Sequence, residues 1–236
     1  NINHVYSEPF ADSSQIPSIL LSERVKKKVT VALTGDGGDE LFGGYNRYLY
    51  SKQVLKFMKV IPYRLRSKFF KLLSNINSEK ISNFLLKYND SIKSKVSNFG
   101  DKFSKISEKF TYIENENDLF LSLISQWPRN SKIFINPIIE DTVKDHFLKE
   151  NKNELIINRM MLSDINYYLP DDILCKIDRA AMQFGLETRV PFISREIFEF
   201  SQKLPIDQKI KNNKGKIILR NILSKFVPNE LIDRPK

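Results

Sequence analysis

Ten consecutive positions, Gly35 to Gly44, hold five of the eight glycines of this 236-residue chain, in the string T-G-D-G-G-D-E-L-F-G-G-Y that opens at Thr34. Just before it runs Val29 to Thr34, VTVALT, short, β-branched and nearly all apolar. Such a run predicts a strand covered on both faces. Glycines at the carboxyl end of a strand let the backbone adopt positive φ or bring amides close to a ligand, and in open α/β sheets that is where ligands sit. Upstream, Ser13 or Ser14 is a candidate cap for a helix with Pro17 in its first turn, Leu20, Leu21 and Val25 on its apolar side and Lys26 to Lys28 at its end. A helix feeding a buried strand is the back half of a βαβ unit.

Asp36, Asp39 and Glu40 stand in the same glycine-rich turn. Three acids repel bare phosphate, so the combination makes chemical sense when a divalent cation bridges carboxylate to polyphosphate. The plainer reading, a Gly/Asp turn between strand and helix, does not account for the density of glycines.

Beyond Tyr45 the apolar periodicity is mostly helical: Tyr48, Val54, Leu55 and Met58, then Leu65, Phe69, Leu72 and Leu73, then Ile81, Phe84 and Leu85. Pro62 and the polar stretch Ser74 to Ser78 separate these helices. Ser91 to Asn117 reads as an exposed insertion or loose helical region, with helices again at Leu119 to Ser125 and Leu155 to Tyr168. Pro170 is expected to open a further helix, with Asp171 and Asp172 at its positive end. Its apolar side would carry Leu169, Ile173, Ile177, Ala180 and Phe184, and its other side Asp172, Lys176 and Arg179. Gly215 precedes an amphipathic helix through Ile218, Leu219, Ile222, Leu223 and Phe226. Three segments follow from this pass: 1–50 as the back half of a nucleotide-binding α/β unit, 51–154 as a helical lysine-rich region, and 155–236 as a helical portion closing the cleft.

The net charge of +10 is concentrated, since Lys52 to Lys109 holds 14 basic and 4 acidic residues. Its lysines are dispersed among apolar and small polar residues without arginine clusters, as on a solvated face, and phosphate affinity alone would be non-specific and salt-sensitive. Nucleic acid is therefore not the expected partner. No apolar run is long enough to span a membrane. The single cysteine, Cys175, excludes an internal disulfide and a multi-cysteine metal site. These features favour a cytoplasmic protein. Opening on Asn1 within a loop-like stretch reads as a fragment or processed piece.

TGDGGDELFGGYNRY resembles the signature of asparagine synthetases, members of the PP-loop ATP pyrophosphatase superfamily. Further blocks match in order: E-P-F-A-D-S-S at Glu8 to Ser14, Y-L-P-D-D-I-L-C-K-I-D-R-A at Tyr168 to Ala180, L-E-T-R-V-P-F at Leu186 to Phe192, and K-G-K-I-I-L-R at Lys214 to Arg220. The middle, from about Ser51 to Glu154, matches only in helical character. The resemblance implies an α/β fold, a partial adenine-nucleotide alpha-hydrolase-like, Rossmann-like parallel sheet with a mostly helical carboxy-terminal portion.

It also implies an adenylating ligase. ATP and Mg2+ would activate the side-chain carboxylate of aspartate, or another small carboxylate, as an acyl-adenylate that ammonia converts to the amide. By resemblance Asp39 is the Mg2+ ligand, while Thr34, Gly35, Gly37, Gly38 and Glu40 line the nucleotide and acyl-adenylate. The resemblance also implies that Asp36 would take a proton from incoming ammonium. Lys216 matches the family's lysine and by that resemblance would neutralise charge on the α-phosphate and its transition state. Asp12 would line the substrate cleft, and Asp172, Lys176, Asp178 and Arg179 would line it too or else form ion pairs that orient helices. Glu187 and Arg189 read as structural, and Cys175 as a packed residue. Ammonia would come from glutamine through an amino-terminal glutaminase domain, and a homodimer is compatible with the family.

The superfamily's pyrophosphate-gripping loop, S-G-G-x-D-S, does not occur in the chain. It is expected upstream of Asn1, and the fragment alone is expected to be inactive. Three other readings remain: amidation of a sugar acid in surface-polysaccharide synthesis, a tRNA-modifying enzyme of the same superfamily, and a non-catalytic remnant kept for interaction.

Overall fold

The computed structural model describes residues 2–74, 99–125 and 154–232. They fall into two compact units, Asn1–Tyr50 with Asp145–Lys236, and Ser51–Lys144. The expected helix through Ile81, Phe84 and Leu85, the end of the Ser74 to Ser78 linker, and the lysines between them and Lys95 lie outside the described residues.

In the first unit, α1 (Ile2–Tyr6) and α2 (Gln15–Lys26) precede β1 (Val31–Leu33). Ser14 does occupy the cap of α2, but its side chain makes no capping bond. Asp12 accepts the Ser14 amide instead, at 2.8 Å. β1 pairs in parallel with β2 (Glu187–Arg189), Leu33 opposite Arg189. Bonds from the Thr34 amide to the Arg189 carbonyl (2.9 Å) and from the Glu187 amide to the Thr30 carbonyl (3.0 Å) extend the ladder at both ends. The α/β class is therefore present, on a short sheet.

β1 is not covered on both faces: Leu33 is 74% exposed and Val31 38%. Leu20 and Leu21, expected on the inner side of α2, are exposed as well. Among the described residues α2 is packed chiefly by one other helix, Cys175–Met182. Apolar periodicity identifies a face and not what lies against it.

After the glycine-rich turn come α3 (Gly38–Phe42) and α4 (Asn46–Val60). The second unit begins within α4 and packs α5 (Tyr63–Ser74) on α6 (Phe99–Tyr112). Helical character therefore holds within the polar stretch expected as an insertion. Ser107, fully buried, gives α6 a small residue at its packed face. The Phe70 ring stacks on Phe110 at 4.9 Å, and Phe57 meets both edge-on at 6.3 Å. α7 (Glu116–Ile124) starts earlier than its apolar residues suggest, because Asn115 and Asp118 form a reciprocal capping box.

Back in the first unit, α8 (Ile156–Ser163) runs into a wide π-helical segment, Asp164–Leu174, and on into α9 (Cys175–Met182). Pro170 lies inside this path and does not open a helix. Proline clashes with the carbonyl four residues back in a regular α-helix, and the wider turn relieves that clash. A 3-10 turn, Pro191–Ile193, then leads to α10 (Arg195–Lys203) and α11 (Ile206–Lys209). β3 (Ile210–Lys211) and β4 (Lys214–Gly215) form an antiparallel hairpin whose tip, Asn212 and Asn213, has φ of 51° and 58°. Both tip residues are left-handed, the geometry that matches the twist of a two-residue hairpin. α12 (Ile217–Leu223) and α13 (Asn229–Ile232) follow. Ile222, Leu223 and Phe226 are exposed, so the apolar stripe expected to bury this end stays open among the described residues.

Candidate functional site

Thr34 ends the strand, and the chain turns through Gly35 and Asp36 into α3. Gly37 caps that helix at φ 81° and Gly43 closes it at φ 71°, both left-handed positions that disfavour a side chain. The turn is covered by the 3-10 segment: a Cβ on Gly37 would sit 2.8 Å from Ile193, and one on Gly38 3.3 Å from the Phe192 ring. Among the described residues nothing lies within 4 Å of where Gly35 would carry a Cβ. The Thr34 hydroxyl is buried and has no hydrogen-bond partner among the described residues.

The hairpin brings Lys216 to this turn. A Cβ on Gly215 would overlap the Gly43 carbonyl oxygen, so the two backbones pack with no side chain between them. The Lys216 amide donates to the Phe42 carbonyl at 3.0 Å. Lys216 itself is left-handed, φ 58° and ψ 36°, a costly conformation for a residue with a Cβ. From there its ammonium reaches Asp39 Oδ1 at 2.9 Å, both side chains about one-third exposed. Gly44 sits directly against Asp39 and the Lys216 stem, where a Cβ would collide with both.

Behind the turn lies a buried polar network. Glu40 is 1% exposed and accepts from the Tyr45 hydroxyl. Burial raises the Glu40 carboxyl above its ordinary range against the pull of Tyr45, and burial followed by Glu40 raises the Tyr45 phenol. Asp164, at the start of the π-helical segment, accepts from Arg47 Nε at 3.0 Å and from the Tyr48 hydroxyl, and forms an ion pair with Arg47 Nη2 at 2.8 Å. The Arg47 guanidinium lies over the Tyr45 ring at 4.3 Å and the Tyr168 ring at 5.2 Å. Glu40, expected to line the nucleotide, thus faces inward and fixes Tyr45.

A second cluster joins the amino-terminal block to α9. Lys176, 8% exposed, is bonded to Asp12 Oδ2 and lies 3.4 Å from Asp172 Oδ1. Burial alone would raise the Asp12 carboxyl, but hydrogen bonds from Lys176 and the Ser14 amide outweigh it and hold Asp12 at about 2. Burial, helped by the charge on Asp12, raises Asp172 even though Lys176 opposes it. Arg179 is exposed and donates to Ser7 Oγ at 3.3 Å. Asp178 is exposed on the same helix.

The sequence therefore points to residues that the fold gathers in two places, Asp39 with Lys216 and Asp12 with Asp172 and Lys176. It does not single out Phe192 and Ile193, which roof the glycine turn, nor Gly44 and Gly215, which permit the lysine's approach, nor Arg47, Tyr48 and Asp164. A legible signal existed for the hairpin alone, in the two asparagines of I-K-N-N-K-G-K.

The asparagine synthase family model matches residues 1–236. The chain belongs to the asparagine synthase family. It is 29% identical over 231 residues to asparagine synthetase [glutamine-hydrolyzing] 1 of Bacillus subtilis (strain 168), covering 98% of this chain and 34% of that protein. A putative asparagine synthetase [glutamine-hydrolyzing] of Mycobacterium tuberculosis (strain ATCC 25618 / H37Rv) is 28% identical over 229 residues, 97% of this chain and 32% of the relative. Over 70 residues, 27% of the chain, identity reaches 43% with putative asparagine synthetase [glutamine-hydrolyzing] 2 of Methanocaldococcus jannaschii, of which 14% is covered. The chain thus spans about a third of the length of the first two. No solved structure matches.

Two observations fit this turn to a metal-bound polyphosphate. The orphaned Thr34 hydroxyl offers a donor at the strand end. Asp39 already holds a cation, the Lys216 ammonium. Among the described residues no three His, Cys, Asp or Glu side chains are grouped to hold a metal. A single carboxylate suits magnesium, which takes one or two protein oxygens and fills the rest of its shell with phosphate and water. No helix among the described residues is long and apolar enough to cross a membrane.

Proposed function

We propose that this chain forms part of the synthetase site of an ATP-dependent amide-forming ligase, with aspartate as the carboxylate and glutamine-derived ammonia as the nitrogen source. The observation that carries the reading is the Asp39–Lys216 pair at the glycine turn, in a chain of the asparagine synthase family. The names of its relatives support the choice of aspartate and glutamine.

In this scheme a side-chain carboxylate oxygen attacks the α-phosphorus of ATP and pyrophosphate leaves. Ammonia then attacks the acyl carbon, and AMP departs with the former carboxylate oxygen. Magnesium, when bound, neutralises phosphate charge. Thr34 donates to the nucleotide, and the exposed Gly35 leaves backbone open to it. Lys216 faces the charge that builds on phosphorus, an electrostatic contribution that is largest in a site shielded from water. Asp36, in the open part of the turn, takes the proton that the attacking nitrogen must lose. The Asp12, Lys176 and Asp172 cluster holds the amino-terminal block on α9 and shapes the acceptor side.

The test is Lys216→Ala in the intact protein, read as carboxylate-dependent release of pyrophosphate from ATP. A fall of about 10² to 10³ is expected for the loss of such a group. Activity retained within about twofold removes the lysine from the mechanism. Replacing aspartate by a sugar acid in the same assay decides the acceptor.

A further inference from the structure

We propose that Lys216 is a place-holder for the divalent cation at Asp39, so that metal and lysine compete for one carboxylate oxygen until a phosphate arrives to take the lysine. The inference rests on the ligase reading and adds an order of events to it. Its ground is geometric: the side chain assigned to phosphate and the side chain assigned to metal are bonded to each other, Nζ to Oδ1, at 2.9 Å. Neither can serve its assigned partner fully while that bond stands.

The backbone around the pair decides what can move. Lys216 is tied by its amide to Phe42, and Gly215 is pressed on the Gly43 carbonyl. Asp39 lies in α3, and the Gly44 amide just beyond that helix returns to the Asp39 carbonyl at 2.9 Å. The two Cα atoms are therefore fixed by the same hairpin contact. Exchange must occur through rotation of the lysine stem, which is about one-third exposed and ends 3.8 Å from the position of a Cβ on Gly38. A swing of that stem moves the ammonium from the carboxylate toward the glycine turn without disturbing the hairpin. A single carboxylate–ammonium pair that solvent still reaches is held modestly, and a doubly charged ion competes with it for the carboxylate.

The consequence is a sign reversal. Without phosphate, Lys216 opposes metal binding at Asp39. With pyrophosphate present, it assists, because the same ammonium now neutralises the ligand that the metal bridges. Metal and polyphosphate thus become mutually dependent, as linkage requires when both displace one internal contact.

The experiment measures Mn2+ affinity by titration of its electron paramagnetic resonance signal, in the intact protein and in Lys216→Met, Lys211→Met and Asp39→Asn. Lys211 is exposed on the same hairpin and controls for the loss of one positive charge. The expected result is at least a threefold tighter Mn2+ Kd in Lys216→Met than in Lys211→Met without pyrophosphate, reversing to weaker binding when pyrophosphate is added. Equal affinities in the two lysine variants overturn the exchange and leave the metal reading intact. No Mn2+ binding that depends on Asp39, with or without pyrophosphate, overturns the metal reading itself and the exchange with it. A second measurement needs no variant: acylation of Lys216, mapped by mass spectrometry, should rise severalfold relative to Lys211 on adding Mn2+ alone and fall when pyrophosphate follows. Labelling of Lys216 unchanged by saturating Mn2+ overturns the proposal.

Discussion

Asp12 is a half-buried carboxylate whose partners outweigh the cost of its burial, and the balance has a definite pH signature. Held at about 2 against an ordinary 3.8, it favours the folded state at every pH above its ordinary value. That contribution drains away as pH falls from about 4 through about 2. Lys176, which burial would lower but Asp12 and Asp172 together raise above 10.5, keeps its own contribution below that value and loses it only as pH climbs past the raised one. The pair is therefore complete across the neutral range. Asp12→Asn should lower the urea midpoint at pH 7, and the gap from the parent should close between about pH 4 and pH 2. Denaturation curves at several pH values read this directly, and a gap that persists undiminished at pH 2 would show that Asp12 acts other than through its charge. The role of Asp12 was half legible in the sequence: its block could be matched, but Lys176 lies 164 residues away, and no spacing rule connects them.

At the scale of elements, the path from the glycine turn into α4 and the path out of α8 into the π-helical segment are joined through Asp164. One carboxylate, 2% exposed, accepts from Arg47 and Tyr48, and Arg47 in turn rests on Tyr45. Asp164→Ala leaves a guanidinium largely out of water with its strongest partner gone. Breaking a buried pair in this way costs about 3 kcal/mol or more, and a thermal or chemical melt of the variant should show it. A loss below about 1 kcal/mol would mean that Arg47 finds another acceptor at little cost. Sequence periodicity found the helices on both sides of this joint and misread the joint itself. Proline is usually a boundary, and at Pro170 the helix widens and continues, an outcome set by packing that no local rule encodes.

For the whole molecule, the glycine turn could be read in advance because glycines so dense at one strand end serve chiefly to carry positive φ or to bring backbone close to a ligand. The sheet could not. VTVALT was legible as a strand, yet its partner Glu187–Arg189 is polar, three residues long and 156 positions later, so LETRVPF could be read as structural without being read as a strand. The two-sided cover expected for β1 depended on surroundings that apolar character does not specify. With Leu33 74% exposed, Leu33→Lys should change the stability of this chain by no more than about 0.5 kcal/mol, as for other surface positions. The same substitution in the intact protein tests what lies there: a loss above about 2 kcal/mol would reveal additional polypeptide against β1, since that is the scale of a buried leucine.

The hairpin also offers a practical opening. Its anchorage resides at Gly215 and the Lys216 amide, whereas the asparagine tip is exposed, where the left-handed backbone of Asn212 makes a replacement cost about 1 to 2 kcal/mol. A small fluorophore attached at position 212 would ride beside the lysine while leaving its tether untouched, so the molecule carries a natural place for an optical gauge of whether its turn is filled.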